Sequence, residues 1–159
     1  MARGQSIVLD YMAGVFIFII MLSIFLVAWD LYSSRYSQAM VRMQMDSIAL
    51  SASESLMQSQ GEPANWTSDP QNAERIGFVS RQNTLDWTRI NAFSSLSYAD
   101  QKTKLGIDSD FVIRIDSFEG ARLATIGIEP NSTTTAVEIS RFGILDGKQA
   151  KLRLMVYDP

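Results

Sequence analysis

The chain has 159 residues, a formal net charge of −3 and 47% hydrophobic residues. It contains neither cysteine nor histidine, which excludes disulfide frameworks, cysteine nucleophiles, histidine general bases and ordinary zinc sites. The mildly acidic balance gives no basis for binding nucleic acid, and the length leaves room for one folded domain of roughly 100 residues beyond an N-terminal helix.

An apolar run occupies residues 12–29 near the start of the chain. Its eighteen residues carry no formal charge, and Ser23 is the only hydroxyl or amide side chain among them. At about 1.5 Å per helical residue the run spans roughly 27 Å, close to the roughly 30 Å hydrocarbon thickness of a bilayer. We therefore predict a transmembrane helix over 12–29, with membrane lipid around it.

The run is unlike the core of a cleaved secretory signal. Such a core has about 7–15 residues and is followed by a small-residue cleavage site. Here the run is longer, and residues 30–36 read Asp-Leu-Tyr-Ser-Ser-Arg-Tyr, without an Ala-x-Ala pattern. The segment is therefore predicted to stay in the mature protein.

Residues 3–6, Arg-Gly-Gln-Ser, stand just ahead of the apolar helix. This arrangement resembles the leader, called a class III signal peptide, of archaeal type IV pilin-like proteins. The resemblance implies that a prepilin peptidase cuts between Gly4 and Gln5 and removes residues 1–4 as a leader peptide. It also implies that pilus assembly machinery packs the apolar helix against copies of the chain, or related pilins, in a cell-surface filament.

The acidic residue near the new N-terminus departs from the family pattern by one position. The family usually places it fifth in the mature chain, whereas Asp10 falls sixth and Tyr11 seventh. Asp10 could pair with the free α-amine of a neighbouring Gln5, or it could simply mark the edge of the span in the headgroup zone. The residues predicted to form the subunit contacts are Asp10, Tyr11, Val15, Phe16, Phe18, Ile19, Leu22, Phe25 and Leu26.

The helix is predicted to continue well past the membrane. No glycine or proline occurs between Val15 and Gln60, so nothing in that stretch breaks a helix, and we predict one long helix over residues 5–60. Beyond the apolar run, one face carries a stripe that should pack against the outer domain. The stripe comprises Val41, Met45, Ile48, Ala52 and Leu56.

Residues 61–159 are predicted to form an extracytoplasmic domain. Asn65 and Asn131 each begin an Asn-x-Ser/Thr sequon in a loop, so both are candidate N-glycosylation sites. With the resemblance, they place the N-terminus in the cytoplasm and this domain outside. Two short helices are predicted over 85–93 and 97–105, with Asp86 and Ser97 as N-caps.

About four antiparallel strands are predicted over 111–116, 122–128, 137–145 and 151–157. Asp146-Gly147 is a strong hairpin signal between the last two strands. The alternation of apolar residues changes near Arg141 and Phe142, which predicts a β-bulge. The fold class is therefore α+β: a long N-terminal helix packed against a small antiparallel sheet, as in type IV pilins.

The sequence contains none of the common catalytic or ligand-binding motifs. It has no glycine-rich phosphate loop, no Gly-x-Ser-x-Gly elbow and no metal-ligand spacing, so neither an enzyme nor a cofactor is predicted. We predict a pilin-like structural subunit of a filament. The alternatives are a permanently anchored single-pass protein whose outer domain binds a ligand or envelope partner, and an anchored hydrolase that uses carboxylates.

Overall fold

The computed structural model describes residues 3–131 and 135–158, with the side chains of residues 3–10 and Gln38 excluded. The chain divides into two compact units, Met1–Val41 and Arg42–Pro159. Two short 3-10 turns, Trp66–Ser68 and Pro70–Asn72, precede the sheet. The helices and strands are α1 Arg3–Gln58, β1 Val79–Arg81, β2 Thr84–Leu85, α2 Trp87–Ser94, α3 Tyr98–Leu105, β3 Asp110–Ser117, β4 Arg122–Gly127, β5 Thr135–Leu145 and β6 Lys148–Asp158.

The long N-terminal helix is confirmed, with α1 extending from Arg3 to Gln58. It ends before Gly61, whose φ of +84° lies in the left-handed region that glycine adopts readily. Within the apolar stretch the Ser23 hydroxyl donates to the carbonyl oxygen of Ile19 at 2.8 Å. That bond satisfies a polar group which a lipid environment could not.

The second half of α1 supplies one wall of the core of the Arg42–Pro159 unit. Met45, Ala52 and Leu56 are buried and Ile48 is partly buried, as the predicted stripe requires. Val41 is exposed, so the buried stripe begins at Met45 rather than at Val41. The opposite wall is the inner face of the sheet, whose apolar side chains are all buried or nearly so. They include Phe111, Ile113, Ile115, Leu152, Leu154 and Val156.

The sheet has six strands in the order β1-β2-β5-β6-β3-β4. The four long strands pair with one another in antiparallel fashion, as predicted. The prediction of about four strands is nevertheless incomplete, because β1 and β2 extend the sheet and β2 pairs with β5 in parallel. Strands of two and three residues are too short to carry a readable alternation of apolar side chains.

The predicted β-bulge at Arg141 and Phe142 is wrong. Every residue from Thr135 to Leu145 is paired with β6 in continuous register. The inner face of β5 therefore carries Arg141 and Gly143 between apolar residues, while Phe142 and Ile144 point outward and are exposed. The bulge was predicted because Arg141, a charged residue, lies on the inner face and interrupts the apolar alternation without any shift in strand register.

Both short helices begin directly after their predicted N-caps, Asp86 and Ser97. The first helix starts two residues later than predicted because Leu85 lies in β2, and it ends at Ser94 rather than at Phe93. The side chain of Asp86 accepts a hydrogen bond from the backbone N–H of Thr88, at the start of α2. At the start of α3 the Ser97 side chain accepts one from the N–H of Asp100. Gly106 closes α3 with a φ of +66°. Both caps satisfy backbone donors that a helix leaves free in its first turn.

Candidate functional site

The surface of α1 over residues 11–37 is exposed on all sides and strongly apolar up to Leu31. Among the described residues, one helix is long and apolar enough to cross a membrane, and it lies near the N-terminus. Eight of the predicted assembly residues lie on this surface with exposed side chains. They are Tyr11, Val15, Phe16, Phe18, Ile19, Leu22, Phe25 and Leu26.

The remaining N-terminal site residues are described by their backbone alone. Gly4, Gln5 and Asp10 all lie within α1, so the predicted scissile bond between Gly4 and Gln5 falls in the first turn of the helix. The side chain of Asp10 lies outside the described part of the chain. The proposed pairing of Asp10 with the α-amine of a neighbouring Gln5 therefore stays a prediction.

The two sequons differ in their surroundings. Asn65 is exposed, but the next residue, Trp66, is buried, and its indole N–H donates to the carbonyl oxygen of Gln60 at 2.9 Å. Asn65 therefore lies at the surface next to a buried, hydrogen-bonded tryptophan. Asn131 is exposed too, while the Ser and Thr that complete its sequon lie outside the described residues. Glycosylation of either site remains a prediction.

A network of charged residues covers part of the outer face of the sheet. Asp116 on β3 is only 3% exposed. Its carboxylate accepts hydrogen bonds from Nε of Arg122 at 2.6 Å and from Nε of Arg153 at 2.9 Å. Burial raises the pKa of the Asp116 carboxyl, but the two guanidinium groups more than offset it and hold that pKa below its ordinary value.

A second ion pair extends this network towards the end of β4. Arg114 donates through Nε to Glu129 at 3.1 Å, and the same carboxylate lies 3.6 Å from Nη1 of Arg122. The hydrogen bond from Arg114 is the main reason that the pKa of the Glu129 carboxyl is lowered. The hydroxyl of Tyr157 also donates to the carbonyl oxygen of Ile128 at 2.8 Å. These bonds fasten residues 128 and 129 to the outer face of the sheet.

An exposed apolar patch, comprising Phe118, Phe142 and Ile144, lies on the same side of the sheet. The patch borders a groove of about 420 Å³ that also includes Asn83 and Gln149. Phe142 is 65% exposed, and the ammonium group of Lys151 lies 5.8 Å from the centre of its ring. The patch was missed from the sequence because the false bulge turned Phe142 inward. Continuing the alternation from Val137 would have found it.

Metal-binding clusters are absent from the described residues, among which no group of three acidic side chains is placed to hold an ion. The described carboxylates with lowered pKa, Asp116 and Glu129, are held by arginines rather than directed into a cleft. No family model, curated protein or solved structure matches this chain. The apolar surface of α1 and the outer domain are therefore the features that indicate a function.

Proposed function

We propose that this chain is a type IV pilin-like structural subunit. A prepilin peptidase cuts it after Gly4, and its N-terminal helix then leaves the bilayer to pack among copies of itself or related pilins in a cell-surface filament. Before assembly the chain is a single-pass membrane protein with its N-terminus in the cytoplasm and residues 61–159 outside. No catalytic step and no cofactor enters this function.

One observation supports the proposal most strongly: α1 has a large apolar surface whose exposure to water is unfavourable. Large side chains such as Phe16, Ile24 and Leu26 are more than half exposed. Each of them costs about 1.5–3 kcal/mol when it is held in water instead of an apolar environment. Lipid and the helices of neighbouring subunits are both apolar, so exchanging one for the other loses little.

The continuity of α1 supports a role in assembly as well as in anchoring. The helix that carries the apolar surface also supplies Met45, Ala49 and Leu56 to the core of the outer domain. One helix therefore contributes both the apolar surface and part of the core of the outer domain.

N-terminal sequencing of the protein recovered from its own cells tests this function. We expect the membrane and sheared surface fractions to contain chains that begin at Gln5. A Gly4→Val variant should retain its original N-terminus and should be missing from the surface fraction, while an Ala2→Val variant should be processed normally. A wild-type chain that begins at Met1 or Ala2 in both fractions would overturn the proposal.

A permanently anchored binding protein is the second candidate, and the exposed patch of Phe118, Phe142 and Ile144 favours it. Exposed apolar patches rimmed by polar residues often mark binding surfaces. On this reading the chain stays in the membrane with its first residues intact. If the chain is such a binding protein, a Phe142→Ser variant should lose its envelope partner. If the chain is a filament subunit, N-terminal processing and surface assembly should continue in the same variant.

A further inference from the structure

The aromatic residues of α1 are not scattered evenly over its apolar surface. Residues 11–36 contain seven aromatic side chains. Six of them occupy a repeat with alternating steps of four and three residues, and only Phe16 lies elsewhere. The eight positions of this repeat are Tyr11, Val15, Phe18, Leu22, Phe25, Trp29, Tyr32 and Tyr36.

The repeat places these side chains on one face of the helix. Successive residues of an α-helix turn by about 100°, so the six aromatic residues fall within an arc of roughly 60°. Phe16 points to the opposite side. The rings of Phe25 and Trp29 are stacked with centres 6.3 Å apart, and those of Tyr32 and Tyr36 are stacked with centres 6.5 Å apart. Aromatic rings on this face therefore contact one another in two pairs between Phe25 and Tyr36.

Lipid alone does not account for this face. A preference for the headgroup zone explains why Tyr11 and Trp29 stand near the two ends of the apolar run. This preference depends on the depth of a residue in the bilayer and is the same for every side of the helix. It therefore gives no reason for aromatic residues to share one side. Phe18 and Phe25 also lie away from the ends of the run, where no headgroup reaches them.

The alternating four-and-three repeat is the pattern of a helix that packs along a seam against another helix. A strict seven-residue repeat keeps the seam facing its partner when the two helices supercoil with a left hand. In an apolar environment such contacts depend on close van der Waals packing, to which large aromatic side chains contribute through stacked and edge-to-face pairs.

We propose that residues 11–36 of α1 carry an aromatic seam that packs against the same seam of a second copy of this chain. The seam comprises the eight positions of the repeat. The inference rests on the proposed function, which supplies the apolar environment and the neighbouring copies. It adds which face of the helix meets the neighbour and assigns Phe16 to a different environment, lipid or a third helix.

Cysteine crosslinking tests the seam without interference because the chain has no cysteine of its own. The full-length chain is reconstituted in phosphatidylcholine vesicles and oxidised as the single variants Phe16→Cys, Phe18→Cys and Phe25→Cys. Phe16 and Phe18 are 65% and 64% exposed and stand two residues apart, so they differ mainly in the face they occupy. We expect several-fold more crosslinked dimer from Phe18→Cys and Phe25→Cys than from Phe16→Cys.

Three outcomes would overturn the seam: equal crosslinking at all three positions, preferential crosslinking at Phe16, and no dimer from any variant. A second measurement guards against damage by the cysteines themselves. Energy transfer between labelled copies should fall in the Phe18→Leu/Phe25→Leu double variant and remain unchanged in Phe16→Leu. An unchanged signal in both would also overturn the seam.

Failure of the seam and failure of the proposed function remain distinguishable. Filaments recovered from cells together with equal crosslinking at Phe16 and Phe18 would reject the seam alone. A chain that keeps Met1 or Ala2 in its cells, but crosslinks preferentially at Phe18 in vesicles, would reject the filament function and support the seam.

Discussion

Arg141 on the inner face of β5 pairs with Glu54 of α1, with Nη2 of the arginine 3.4 Å from Oε1 of the glutamate. Nε of the same guanidinium lies 3.5 Å from the hydroxyl oxygen of Ser53. An arginine thus occupies a position on the sheet whose neighbours along the strand, Ile139 and Gly143, face the core. Its long aliphatic stem covers apolar surface while its charge stays at the rim, beside a half-exposed partner.

The Arg141–Glu54 pair should contribute little to stability because solvent reaches both side chains. We expect a double-mutant cycle of Arg141→Met and Glu54→Gln to give a coupling free energy below about 1 kcal/mol. Chemical denaturation of the full chain in detergent micelles, followed by tryptophan fluorescence, measures it. A coupling well above that value would mean that the contact is closer and drier in solution than its geometry indicates.

Removing the charge of Asp116 should be much more costly. Asp116→Asn leaves two arginines beside a neutral amide that can accept fewer hydrogen bonds and presents N–H groups to one of them. We expect the free energy of unfolding to fall by about 2–3 kcal/mol, somewhat less than for a fully buried pair because Arg122 and Arg153 are partly exposed. The exposed Glu119, on the turn between β3 and β4, gives the matched control: Glu119→Gln should change stability by no more than about 0.5 kcal/mol.

The same network predicts that acid weakens the outer domain. The pKa values of Asp116 and Glu129 are lowered from their ordinary values of 3.8 and 4.5. A group with a depressed folded-state pKa contributes stability above its unfolded pKa, and that contribution is lost as the pH falls through the folded value. We therefore expect stability to decline below about pH 4.5. The decline should be shallower in Asp116→Asn, and an equally steep decline in that variant would assign the acid sensitivity to other groups.

The features that the sequence predicts well are those fixed by neighbours along the chain. Asp86 caps α2 from one residue before the helix, and Asp146-Gly147 turns β5 into β6, so each pattern is local. The pairing of β2 with β5 joins residues about sixty positions apart through a two-residue strand, and no pattern marks it. The orientation of Arg141 likewise depends on where Ser53 and Glu54 of α1 come to lie. Because the orientation of Arg141 was not predicted, the exposed patch that includes Phe142 was not predicted either.

Gly77 should tolerate no side chain at all. A Cβ atom at this position would lie 1.8 Å from the carbonyl oxygen of Ser59 and 2.8 Å from the backbone nitrogen of Gly61. Because both neighbours are backbone, we expect Gly77→Ala to lower the free energy of unfolding by about 3 kcal/mol or more. Gly147→Ala supplies the comparison: its φ is +75° but no atom lies within 4 Å, so only conformational strain of about 1–2 kcal/mol applies. Equal losses in the two variants would contradict the steric explanation.

Asp10 and Asp30 flank the apolar run and allow the assembly role of one carboxylate to be separated from a general effect of charge. If Asp10 pairs with the α-amine that cleavage creates on a neighbouring Gln5, neutralising it removes an attraction that an apolar surrounding makes strong. We expect Asp10→Asn to be processed at Gly4 and to reach the membrane, but to yield far less surface filament. Asp30→Asn should assemble like the wild type. Quantifying the chain in sheared surface fractions of cells expressing each variant decides between them. Normal filament from Asp10→Asn would show that this carboxylate only marks the edge of the span, and equal losses in both variants would point to membrane insertion rather than subunit pairing.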